Sequence, residues 1–219
     1  MKSCGFIALL FLCVCAQWNP AFSADSTPLD PGQSLQKLME GNKRYVTAAA
    51  SAPKPLAGRR AEVAKAQHPF AVIVGCSDSR VPPEIIFDQG LGNLFVIRLA
   101  GNVVDDYALE SIGYALDHLG VPLVVVLGHK RCGAVGAAVE SGKDEDHLAG
   151  IVKAIGPAVE QARGKEGDLW ENSAKENSLM TAARLQESKP FIAPLVKAGK
   201  VKVVAAYYDL DTGEAVFLK

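Results

Sequence analysis

The sequence has almost no surplus charge: 23 basic residues face 24 acidic ones among 219, a formal net charge of −1. That balance lacks the electrostatic footprint of a nucleic-acid surface or a polybasic membrane patch, so no nucleic-acid partner is expected. Glycine (20) and proline (12) are spread along the chain, which excludes collagen-like and low-complexity classes. No internal repeat is present. No G-x-S-x-G elbow surrounds Ser77 or Ser79, so a serine hydrolase has little support. Gly90-Leu91-Gly92 lacks the Gly-Lys-Ser/Thr of a phosphate loop. The apolar run Phe6–Ala16 is shorter than the roughly 20 residues a membrane span needs.

That run follows Lys2 and precedes Ala21-Phe22-Ser23-Ala24, the layout of a secretory signal peptide cut after Ser23 or Ala24. Residues 1–24 are therefore expected to be an export signal, placing the mature protein in the periplasm or outside the cell. No membrane span is expected after cleavage. Three of the five cysteines (Cys4, Cys13, Cys15) leave with the signal, and Cys76 and Cys132 remain. In an exported chain such a pair is either a disulfide or a set of thiolates with a task.

Residues 25–33 read as a flexible lead-in and 34–219 as one domain, long enough to bury a sizeable core. Ser34 is expected to cap a helix reaching Val46, and alanine-rich 57–67 a second short one. Phe70–Gly75 and Pro122–Gly128 are unbroken apolar runs, the pattern of strands buried on both faces. Asn93–Ile97 and Val201–Tyr208 give two more strands, and Glu214–Leu218 a short edge strand. Leu109, Ile112, Ala115, Leu116 and Leu119 stripe a helix opened by Asp105 and Asp106. Further helices are expected at 133–139, 148–162, 173–186 and 191–197, with polar linkers at 141–147 and 163–170. Strands alternating with helices predict an α/β domain with a mainly parallel central sheet flanked by helices.

In such sheets, sites lie beyond the carboxyl ends of the strands. Two strand ends carry the chemistry: Cys76-Ser77-Asp78-Ser79-Arg80 and His129-Lys130-Arg131-Cys132-Gly133. Cys76, His129 and Cys132 supply two sulfurs and an imidazole, a zinc donor set, with Asp78 as a nearby oxygen. A structural zinc site more often shows two close cysteine pairs. Ligands split between two strand ends are the layout of an active site. His68, His118 and His147 each stand alone, and surface solvation accounts for them.

The blocks C-S-D-S-R-V-P-P-E (76–84), I-R-L-A-G-N (97–102) and G-H-K-R-C-G-A-V (128–135) resemble a β-class carbonic anhydrase. The likeness extends over residues 34–218. It implies one Zn2+ per chain on Cys76, His129 and Cys132, with Asp78 and Arg80 as a catalytic dyad. The implied activity is reversible hydration of carbon dioxide to bicarbonate and a proton. A zinc hydroxide would donate to the Asp78 carboxylate and so be oriented; Arg80 would keep Asp78 ionised and off the metal. Were Arg80 to release it, Asp78 would become a fourth ligand in a closed site. Gln67, Phe95, Ala100, Tyr114 and Gly133 match substrate-pocket positions of the family. Ala100 is smaller than the branched residue expected there, which implies a roomier pocket. Ile73 stands where bicarbonate-inhibited members carry a tryptophan, although Arg98 from that site is kept; this favours the open subtype. The family's homodimers and homotetramers exchange N-terminal helices, so residues 34–66 are expected to wrap a partner. Two alternatives remain: hydrolysis of carbonyl sulfide or carbon disulfide at the same zinc, and a metal-free exported binding protein with a Cys76–Cys132 disulfide.

Overall fold

Five strands form one sheet in the order β2-β1-β3-β4-β5, seen in a computed structural model that describes residues 29–49, 56–140 and 146–219. The expected export signal, the first residues of the lead-in and most of the 141–147 linker lie outside the described residues. β1 (Ala71–Gly75), β2 (Leu94–Arg98), β3 (Leu123–His129) and β4 (Lys202–Tyr208) are parallel; β5 (Ala215–Phe217) closes the edge antiparallel to β4. Every residue of β1 and β3 is buried, as their unbroken apolar runs predict for strands covered on both faces. The helices are α1 (Pro31–Val46), α2 (Leu56–Val63), α3 (Pro83–Ile86), α4 (Asp106–His118), α5 (Gly133–Val139), α6 (Ala149–Ala162), α7 (Leu169–Gln186) and α8 (Ile192–Lys197). Among the described residues, no helix is long and apolar enough to cross a membrane.

Strand alternation splits the core into two layers. Ala71 and Ile73 face a layer holding Leu38, Phe87, Val135 and Ile155, together with Cys76 and Cys132. Val72 and Val74 face the other, with Ile112, Leu116 and Ile192. The helix α7 serves both, with Ala174 in the first layer and Leu185 in the second. It crosses so near β3 that a Cβ on Gly128 would sit 2.2 Å from Ser178 Oγ and 3.0 Å from the Ala174 carbonyl oxygen. That closeness is why a glycine precedes His129.

Two helix starts differ from the sequence-based expectation by three residues or more. The first helix begins at Pro31, not Ser34: Asp30 accepts the Gln33 amide at 2.8 Å, and Gln33 Oε1 accepts the Asp30 amide at 3.0 Å. This reciprocal cap, with proline in the first turn, outcompetes Ser34, which is buried inside the helix with its hydroxyl unpartnered. The helix α7 begins at Leu169 rather than Ser173, because Asp168 caps it by accepting the Glu171 amide at 2.7 Å. Trp170 therefore belongs to a helix, not to a linker. Buried Asn42 on α1 ties the distant pieces together: its Nδ2 donates to Ile86 O and Gly213 O, and its Oδ1 accepts the Ala215 amide.

Candidate metal centre

Parallel pairing sets the site. Gly75 is paired with Leu127 across β1 and β3, and His129 with Tyr208 across β3 and β4. Cys76, one residue beyond β1, thus emerges beside the end of β3, and Cys132 follows as the residue that opens α5. The donor atoms of Cys76, His129 and Cys132 all lie within 4.8 Å of one another, and all three residues are buried. Both thiols are free, with their sulfurs 3.9 Å apart, far beyond the roughly 2.05 Å of a disulfide bond. The metal-free disulfide alternative is therefore not the arrangement this fold builds.

The imidazole is prepared for a ligand. His129 Nδ1 lies 2.9 Å from the Lys130 carbonyl oxygen; a carbonyl can only accept, so Nδ1 carries the proton and Nε2 keeps its lone pair. That Nε2 is fully buried and has no hydrogen-bond partner, an arrangement that costs free energy unless something binds there. A sulfur–sulfur–nitrogen set with an aimed, unpaired imidazole fits zinc.

The thiols are electrostatically unequal. Hydrogen bonding from the Cys132 thiol, helped by backbone amides of Asp78 and Gly101, draws Cys76 far below the usual thiol range. Cys132 is pushed upward by the same shared proton and by burial. The Gly101 amide reaches Cys76 Sγ at 3.2 Å from a short 3-10 turn, Ala100–Asn102, in which Gly101 has φ +70°. Arg98 holds the other side of the loop, donating from Nε to Cys76 O at 2.8 Å and from Nη2 to Asp78 O.

Asp78 points its Oδ2 toward His129 Nε2 at 3.9 Å, yet Arg80 holds the carboxylate from behind. Arg80 donates from Nε to Oδ1 (2.9 Å), from Nη2 to Oδ2 (2.6 Å) and from its backbone amide to Oδ1 (2.9 Å). This fork lowers the Asp78 pKa to about 2, against partial burial, which alone would raise it.

The family profile described as carbonic anhydrase matches residues 71–215. The chain belongs to the carbonic anhydrase family. "Carbonic anhydrase 2" of Mycobacterium tuberculosis is 39% identical over 191 residues, 85% of this chain and 92% of that protein. A carbonic anhydrase of Mycolicibacterium smegmatis is 38% identical over 188 residues, covering 84% and 91%. The solved β-carbonic anhydrase CcaA superposes with a TM-score of 0.68 at 28% identity over 84% of this chain and 87% of its own, which places the chain in the β class. A structure described as a tetrameric β-carbonic anhydrase of Sordaria macrospora shares the fold at 23% identity and a TM-score of 0.67, covering 84% and 96%.

For this carbonic anhydrase, one chain gathers part of the residue set expected from the sequence. Cys76, Asp78, Arg80, His129 and Cys132 converge, with Ala100 next to the Gly101 amide and Gly133 exposed at the start of α5. Nothing lies within 4 Å of where a Gly133 Cβ would stand, so close packing is not what places glycine there. Phe95 and Tyr114 lie elsewhere: their rings are neighbours, 6.3 Å between centroids, and Phe95 packs on the layer on the opposite face from the cysteines. Tyr114 is 46% exposed. Gln67 is exposed on the loop before β1, at the opposite end of that strand from Cys76. Sequence reasoning missed Trp170, whose Nε1 donates to Cys132 O at 2.8 Å. It also missed the loop-clamping role of Arg98. A tryptophan inside an otherwise polar stretch was the available signal for the first.

Proposed function

We propose that this carbonic anhydrase is a zinc enzyme that reversibly hydrates carbon dioxide to bicarbonate and a proton. The observation that carries this reading is the unpaired, buried Nε2 of His129, facing two cysteine sulfurs, with the Asp78 carboxylate held 3.9 Å away by Arg80. Cys76, His129 and Cys132 would hold the ion. Bound zinc supplies the Lewis acidity that makes water a nucleophile near neutral pH. Asp78, ionised throughout the working range, accepts a hydrogen bond from the nucleophile and so directs an oxygen lone pair at the carbon. Arg80 keeps that carboxylate charged and prevents it from closing on the ligand set. The proton released on hydration leaves to buffer.

The remaining pocket residues support an oligomeric reading. Gln67, Phe95 and Tyr114 match pocket positions of the family but lie at another end or face of the same chain, and a second copy that docks there would receive them. This fits a homodimer or homotetramer and is checked by sedimentation of the mature protein. Residues 1–24 fit an export signal through Lys2, the apolar run and the small residues at 21–24; fractionation of cells making the full chain tests it.

The deciding experiment is stopped-flow carbon dioxide hydration by wild type and Asp78→Ala, with zinc measured on both. The expected outcome is about one zinc per chain in each protein and a large loss of rate in the variant alone. A wild type that binds zinc but turns over carbonyl sulfide or carbon disulfide, with negligible carbon dioxide activity, would replace this reading with the hydrolase one.

A further inference from the structure

The two residues between His129 and Cys132 turn their backbones toward the site and their side chains away from it. The Lys130 carbonyl oxygen accepts a hydrogen bond from His129 Nδ1. The Arg131 carbonyl oxygen accepts from Arg80 Nη2 at 3.3 Å, a third anchor for the arginine that holds Asp78. These two peptide groups thus orient one ligand and the dyad. To do so the chain reverses within four residues, and Arg131 adopts φ +51°, a left-handed conformation that few non-glycine residues take.

The restraint on that reversal comes from the turn after β4. Lys130 Nζ reaches Asp209 Oδ2 at 2.9 Å and Asp211 Oδ2 at 3.0 Å. The Arg131 guanidinium clasps Asp211 with two parallel bonds, Nη1 to Oδ2 at 3.0 Å and Nη2 to Oδ1 at 2.5 Å. A two-bond fork fixes orientation as well as position. The Lys130 amide adds a backbone bond to Tyr208 O at 2.9 Å.

The turn itself is built before it meets the basic pair. Asp209 Oδ1 accepts the amides of Asp211 (2.7 Å) and Thr212 (3.3 Å), and the Gly213 amide returns to Asp209 O at 2.9 Å. Buried Asn42 ties the far side of the turn to α1 through Gly213 O and the Ala215 amide. All four carboxylate oxygens of Asp209 and Asp211 are engaged, two charges against two. Exposed ion pairs usually contribute little to stability. A rigid turn gripping two consecutive residues of a metal loop has a different use.

We propose that Asp209 and Asp211 are positioning residues: the β4–β5 turn holds Lys130 and Arg131 so that their carbonyls orient His129 toward the metal and Arg80 toward Asp78. The inference rests on the zinc hydratase reading of the same site. It goes beyond that reading in placing control of the site some 80 residues along the chain, on a surface turn that touches neither metal nor substrate.

The test compares wild type, Asp211→Asn, the double variant Asp209→Asn/Asp211→Asn and Asp211→Glu, all zinc-loaded. Three quantities are read: the rate of zinc release to a chelator, kcat against KM for hydration, and the melting temperature. In Asp211→Asn, zinc release should quicken and kcat fall by about fivefold, somewhat less than the 10- to 100-fold typical of groups that touch a ligand directly. KM should hold. The double variant should go further on both counts, and Asp211→Glu should recover most of each loss. The inference is overturned if the asparagine variants release zinc and turn over like wild type. It is equally overturned if all variants, Asp211→Glu included, lose melting temperature in proportion to activity, since that marks a purely structural anchor. A wild type that neither holds zinc nor hydrates carbon dioxide would remove the functional reading itself, and this inference with it.

Discussion

The Arg80 guanidinium meets both carboxylate oxygens of Asp78, Nε to Oδ1 at 2.9 Å and Nη2 to Oδ2 at 2.6 Å. The fork does two things at once. It keeps the carboxylate charged, and it fixes the plane of the group so that Oδ2 stops 3.9 Å short of His129 Nε2. A lysine retains the charge but presents a single point donor on a flexible stem. Arg80→Lys should therefore lose hydration rate by about 10- to 100-fold. Zinc release to a chelator should be unchanged or slower, because a loosened Asp78 can swing toward the ligand set. Faster zinc release in Arg80→Lys would contradict the role assigned to the fork.

The pH dependence follows from the same pair. The Asp78 pKa is lowered to about 2 from an ordinary 3.8, chiefly by its hydrogen bonds to Arg80. A depressed carboxylate adds stability that is complete above the unfolded value and is lost as pH falls through the folded one. Asp78 is then still ionised when protons begin to compete with the metal for the ligands. On acidification, zinc loss and activity loss should share one midpoint, above about pH 4. The Asp78 carboxyl, followed by carbon-detected NMR, should titrate separately and lower. An Asp78 transition coincident with the loss of activity would show that the ion pair fails first.

Metal removal should expose the second use of the cysteines. In this fold Cys76 and Cys132 are free, buried and 3.9 Å apart, with Cys76 drawn toward thiolate, the reactive form in disulfide chemistry. Bound zinc would engage both sulfurs and so protect them from oxidation. Protein made without residues 1–24, stripped with a chelator and left in an oxidising buffer, should lose two titratable thiols and fail to regain zinc until reduced. Zinc-loaded protein treated identically should keep both. Thiol titration with metal analysis on the two samples checks this.

How far the sequence foretold this site depends on what each residue uses to hold its place. Phe70–Gly75 and Pro122–Gly128 were legible as strands because burial on both faces leaves an unbroken apolar run, and parallel pairing then put Cys76 beside His129. Asp78 and Arg80 were legible because they are two residues apart and the fork closes locally. The start of α1 was misplaced although its signal was present: Asp30-Pro31-Gly32-Gln33 spells a reciprocal cap. The four-residue α3 is too short to show a period. The anchoring of Lys130 and Arg131 by Asp209 and Asp211 spans about 80 positions, and no local pattern signals a charge pair that only the β3–β4 register brings together. Phe95 and Tyr114 were identified by family position, and position along a chain does not say that they would lie away from the cysteines.

Gly101 links core packing to the metal site, and the last prediction tests that link. Its φ of +70° lies where residues other than glycine are rarely found. A Cβ there would stand 2.6 Å from Ile155 Cδ1 and 3.1 Å from Ala134 Cβ. Ile155 is fully buried, so it cannot yield by moving into solvent. The Gly101 carbonyl is also fixed, accepting from Asn177 Nδ2 at 2.8 Å. Gly101→Ala must therefore strain the turn, crowd the core, or shift the amide that points at Cys76 Sγ. The first two together cost about 2–5 kcal/mol, read as a lower denaturation midpoint with an unchanged slope. Because the amide supports the Cys76 thiolate, zinc release should also quicken. Adding Ile155→Val to Gly101→Ala removes the methyl that is struck but not the backbone strain. The double variant should regain part of the stability and little of the zinc retention. Full recovery of both would reduce the glycine to a packing residue and leave the Cys76 hydrogen bond without a role.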